Sequence, residues 1–107
     1  MSVLVLGTGI VGSAAIWDLG RRGHAVAAAD VSAEAQSTAA DRFGIAVHDL
    51  DVTDREALER LMAPHDLVVS AVPYRFGVIV TEAAIATGTH CLDFGGNPTV
   101  VAGNLEI

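Results

Sequence analysis

The sequence predicts an α/β fold, a doubly wound parallel sheet, and three observations carry that expectation. Short apolar runs alternate with longer segments of helical spacing throughout the 107 residues. The apolar runs lack the polar–apolar alternation of a half-exposed sheet, so helices should cover both faces. The first run, Val3–Leu6, meets Gly7, Gly9 and Gly12 at once, a glycine turn between a strand and a helix. Five strands with four intervening helices predict the order 3-2-1-4-5 with right-handed crossovers.

Taken in order, Val3–Leu6 is the first strand. Ile10–Arg22 is the first helix, with Gly12, Ile16, Leu19 and Gly23 on one face and Gly23 as its stop. Ala25–Ala29 is the second strand and ends at Asp30. Ser32 can cap a helix that runs to about Phe43 and stops at Gly44. Ile45–Leu50 is the third strand. Thr53 to Glu56, "TDRE", matches a capping box, and the helix behind it puts Ala57, Leu58, Leu61 and Met62 on one side. Leu67–Val72 is the fourth strand. A helix over Phe76–Thr87 closes at Gly88, and Thr89–Phe94 is the fifth strand. No repeat, linker or low-complexity segment interrupts the pattern. The chain ends soon after the fifth strand, which predicts one domain over 1–107 with any substrate domain lying elsewhere.

The glycines at 7, 9 and 12 form G-x-G-x-x-G in the setting that motif needs, directly after a strand and opening a helix. Gly7 permits the tight turn, Gly9 lets a pyrophosphate approach the backbone, and Gly12 lets the helix pack closely. The N–H groups near Ile10 and Val11, with the helix dipole, then face the phosphates. Asp30 stands about twenty residues on, where a carboxylate accepts from the adenosine ribose hydroxyls. It would repel a 2′-phosphate, and the following "VSAEAQ" has no Arg to receive one. The expected cofactor is therefore NAD, in a Rossmann-type domain.

Three further groups complete the expected site. Val52 should pack on the adenine and Asp51 line its pocket, unless they are only a loop carboxylate and the apolar start of a helix. Ala71, Val72 and Pro73 lie behind the fourth strand, at the topological switch point where the reactive end of the ligand belongs. Tyr74 and Arg75 should project into the same crevice. Tyr74 either positions the substrate or nicotinamide, as the candidate catalytic residue, or fills a gap against another domain.

Composition narrows the classes. The formal charge of −7 disfavours nucleic acid and membrane surfaces, both polyanionic. The absence of lysine excludes Schiff-base chemistry on this chain. Cys91, the single cysteine, excludes an internal disulfide and fits a reducing cytoplasm. His24, His48, His65 and His90 form no ligand pair on one helix, so no metal site is expected. Trp17 falls off the buried face of the first helix and reads as packing or an interface.

"VLVLGTGIVGSAA", "SAVPYRFG" and "HCLDFGGN" together resemble the cofactor domain of the saccharopine dehydrogenase-like oxidoreductases, most nearly the lysine 6-dehydrogenase branch, over Val3 to about Val101. The resemblance implies NAD(P)-dependent oxidation of an amino-acid amine carbon to an imine that water hydrolyses. It implies that Gly7, Gly9, Gly12 and Asp30 hold the cofactor, that Tyr74 lies at the substrate edge, and that Asp93 and Asn97 lie near the same crevice. The expected parent is a cytoplasmic amino-acid dehydrogenase whose substrate contacts come largely from another domain. Apolar surface around Val72, Val100 and Val101 would favour a homo-oligomer. The rival expectation is an NAD(H)-sensing regulatory domain without catalysis, against which "PY" and "DFGGN" weigh.

Overall fold

Alternate residues of a strand face opposite sides of its sheet, and this splits the first apolar run between two cores. In the computed structural model, which describes residues 1–93, Val3 and Val5 pack with Ala28, Val69 and Ile16 on one face. Leu4 and Leu6 pack with Val68, Leu58, Met62, Val80, Ala83 and Ala84 on the other. Each of these strand residues is almost wholly withdrawn from solvent, as two covered faces require.

The sheet holds five parallel strands: β1 Ser2–Leu6, β2 Ala25–Asp30, β3 Val47–Asp49, β4 Leu67–Ser70 and β5 His90–Asp93. Their order is β3-β2-β1-β4-β5, as expected. Helices α1 Ile10–Arg21, α2 Ala33–Phe43, α3 Arg55–Met62 and α4 Gly77–Thr87 connect them, with a 3₁₀ turn at Tyr74–Phe76 leading into α4. The carboxyl ends of β1 and β4 lie side by side, Leu6 paired with Ser70, and the chain leaves them toward opposite faces. That divergence opens the switch-point crevice. No helix among the described residues is long and apolar enough to cross a membrane.

The expected boundaries need correction in several places. The third strand is Val47–Asp49, not Ile45–Leu50. Ile45 and Leu50 are apolar because they pack against the two cores, not because they join the ladder. The fourth strand stops at Ser70 because β1 stops at Leu6. The Ala71 N–H still donates to the Leu6 carbonyl (2.8 Å), and Val72 turns away. The Phe76 N–H bonds the Pro73 carbonyl (2.9 Å), a tighter turn that delays α4 to Gly77.

The capping box is also corrected. Asp54, not Thr53, caps α3, accepting from the Ala57 N–H at 3.2 Å. Thr53 instead donates its N–H and hydroxyl to Asp51 Oδ1 (2.9 and 2.7 Å), and Glu56 pairs with Arg60. Ser32 caps α2 as expected. Cys91 is only partly buried, packed against the larger core, and Leu92 is 56% exposed. Both faces of β5 are therefore not fully covered by the described residues. Trp17 is exposed, with the Arg21 guanidinium 5.0 Å from its ring centroid. The expectations for Phe94, Asn97, Val100, Val101 and the Tyr74 side chain lie outside the described residues.

Candidate nucleotide cleft

The glycine turn is assembled by contacts that no side chain at 7 or 12 would allow. Gly7 adopts φ +91°, and a Cβ there would stand 2.8 Å from the Ala71 carbonyl oxygen. A Cβ on Gly12 would overlap the Gly7 carbonyl, so the first turn of α1 presses directly on the loop. Gly9 is different: a Cβ there would meet nothing within 4 Å. Its side faces open space, as needed for a ligand's close approach.

Gly9 is also the N-cap of α1, and no side chain caps the helix behind it. Nor does an acidic residue occupy the first turn. α2 and α3 each have a side-chain cap and a first-turn glutamate, Glu34 and Glu56, whereas α4, like α1, has neither. No side chain therefore neutralises the positive end of α1. Ile10 and Val11 project into solvent, Ile10 at 92% exposure. Gly12 is buried behind the turn.

Asp30, at the end of β2, anchors the turn from the other side. Its Oδ2 accepts from the Thr8 N–H and the Thr8 hydroxyl, both at 2.8 Å, and its Oδ1 from the Ser32 N–H at 2.9 Å. Burial opposes ionisation, but donors from Ser32, Thr8 and Val31 outweigh it and hold the carboxyl below its ordinary 3.8. Thr8 is the residue that sequence reading missed. It occupies a free position of the motif, and only the register Leu6↔Ala29 shows that it meets Asp30.

One cleft of about 460 Å³ unites most of the expected residues. Gly7, Gly9, Asp30, Asp51, Val52, Ala71, Val72 and Pro73 line it, with Leu6, Thr8, Ala29, Val31, Leu50, Arg75 and Phe76. Ile10, Val11 and Gly12 do not. Val52 is both core and cleft wall. The Thr53 hydroxyl and N–H hold the Asp51 carboxyl below 3.8. The Ser70 hydroxyl, at the end of β4, is buried without a hydrogen-bond partner among the described residues. The same residues also contain no group of three metal-ligating side chains. An open space at Gly9, an uncapped helix start and a strand-end carboxylate fit a dinucleotide.

Comparison with known proteins agrees with this geometry. The family model described as the saccharopine dehydrogenase NADP-binding domain matches residues 3–105. Saccharopine dehydrogenase (NADP+, L-glutamate-forming) of Saccharomyces cerevisiae is 37% identical over 90 residues, 82% of this chain and 20% of its own. The Schizosaccharomyces pombe protein of the same name is 33% identical over 91 residues, 83% of this chain and 20% of its own. The solved apo saccharopine dehydrogenase (L-Glu forming) from S. cerevisiae superposes with a TM-score of 0.84 at 30% identity, over 94% of this chain and 23% of that one. The chain spans about a fifth of the length of the curated relatives it matches.

Proposed function

Because the chain belongs to the family of saccharopine dehydrogenase NADP-binding domains, we propose that it is the cofactor-holding part of an amino-acid dehydrogenase and that its cofactor is NAD. The observation that carries this reading is the uncapped start of α1 beside the open face of Gly9, flanked by the Asp30 carboxylate. The pyrophosphate lies on the Gly9–Gly12 backbone, where unpaired N–H groups and the helix dipole offset its charge. Asp30 accepts from the adenosine ribose, and Val52 and Asp51 border the adenine. Ala71, Val72 and Pro73 border the nicotinamide half, with Tyr74 at the substrate edge.

The bound nicotinamide supplies a hydride acceptor for an amine carbon, leaving an imine that water hydrolyses. The chain's own contribution is orientation: the rigid ends of β1 and β4 fix the cofactor on one wall of the crevice. The yeast relatives are named for NADP+. Here an ionised carboxylate with Val31 beside it lines the cleft, and a 2′-phosphate brought against that carboxylate is repelled. Calorimetric titration of the chain tests both levels. NAD(H) should bind at least about tenfold tighter than NADP(H), a difference of roughly 1.4 kcal/mol. Equal or tighter NADP(H) binding would remove the specificity assignment, and no binding of either would remove the nucleotide reading.

A further inference from the structure

We propose that Arg75 receives the phosphate oxygens of the dinucleotide in this cleft, a role that rests on the reading above. The charged side chains lining the cleft are Asp30, Asp51 and Arg75. Two carboxylates face a ligand that itself carries a pyrophosphate, so the cleft needs positive charge. The start of α1 supplies about half a unit; Arg75 supplies a full one.

Among the described residues Arg75 and Arg42 are the arginines without a carboxylate partner, and Arg42, stacked on Phe43, does not line this cleft. Arg21 and Arg22 are paired with Asp18, Arg55 with Glu59 and Glu82, and Arg60 with Glu56. No carboxylate partner for Arg75 occurs among the described residues. Its guanidinium instead lies 4.6 Å from the centroid of the Phe76 ring, and Phe76 is itself packed against the larger core. Stacking fixes the plane of the guanidinium while leaving its in-plane N–H edge open. That edge matches two phosphate oxygens. The turn holding it, Tyr74–Phe76, follows directly on the cleft-lining Ala71–Pro73 segment.

The test is titration of the chain with NADH, followed by fluorescence at low and high salt, for the wild type, Arg75→Gln, Arg75→Lys and the surface control Arg60→Gln. Thermal melts without ligand establish that each variant folds. Arg75→Gln should weaken NADH binding about tenfold or more, since hydrogen bonds to charged groups carry that magnitude. It should also flatten the salt dependence, because one charge contact is gone. Arg75→Lys should recover part of both, and Arg60→Gln should match the wild type. Unchanged NADH affinity in a folded Arg75→Gln overturns the proposal. Weakened affinity with an unaltered salt dependence also overturns it, because Arg75 would then act by stacking on a ring. A wild-type chain that takes up no NADH overturns the reading of the cleft together with this role, an outcome distinct from the other two.

Discussion

Gly9 and Gly12 lie three positions apart in one motif, yet the surroundings ask for opposite outcomes on substitution. A side chain at Gly9 enters open space. Gly9→Val should therefore leave the unliganded fold within about 1 kcal/mol of the wild type, the range of N-cap effects, while blocking NADH. Gly12→Ala drives a methyl into the Gly7 carbonyl, a backbone atom that cannot rotate aside. It should cost about 1–3 kcal/mol before any ligand is added. Urea melts alongside NADH titrations separate the two; a folded Gly9→Val that binds NADH normally would move the phosphates elsewhere. The motif's structural setting was legible in the sequence because strand, turn and helix follow without a gap. Thr8 was not, since its partner Asp30 is 22 residues away and the pairing depends on the β1–β2 register. In the proposed reading Asp30 therefore has two roles, holding Thr8 and accepting from the ribose. Removing it would loosen the glycine turn as well as any ribose contact, so a cofactor titration is the cleaner test of specificity.

Among the elements, α3 separates sequence pattern from geometry most sharply. "TDRE" permits two helix starts one residue apart, and both offer a capping oxygen. The choice is decided by Asp51, which takes both donors of Thr53 into its own turn and leaves Asp54 to cap. Asp54→Ala should cost about 1 kcal/mol of stability. Thr53→Ala, at an exposed position outside the helix, should stay within about 0.5 kcal/mol. Equal losses in the urea midpoints of the two variants would restore Thr53 as the cap. The strands teach a related lesson. Ile45, Leu50 and Val72 are apolar for burial, and burial does not report pairing. The ladder ends where its neighbour ends, a property of two strands that neither segment carries alone. The order of the sheet, by contrast, was readable at the outset, because the glycine motif behind the first strand belongs to the dinucleotide-binding arrangement of five strands with right-handed crossovers.

For the molecule as a whole, the ionisable groups set a window of maximal stability on both sides of neutrality. His65 sits half-buried with its Nδ1 2.8 Å from the Ser2 hydroxyl. Burial, with a smaller contribution from His48, lowers its pKa below the ordinary 6.5 despite the opposing charge of Asp66. A lowered histidine favours the neutral folded form, so its contribution is complete above pH 6.5 and is lost as pH falls through the folded value. Asp30 and Asp51 are lowered from 3.8, so theirs is complete above that value and is lost in more acid solution. Cys91 runs the other way. Burial first, then the nearby Asp93 charge, pushes its thiol up to about 11 from 9.0. A raised thiol favours the protonated folded form, complete below pH 9.0 and lost as pH rises through about 11. Stability should therefore be flat between pH 6.5 and 9.0, fall in two acid steps and fall once in alkali. Urea midpoints measured across that range check the shape. Cys91→Ser should remove the alkaline step alone, and His65→Gln the upper acid step alone. A His65→Gln variant that keeps the decline below pH 6.5 would assign that step to another group.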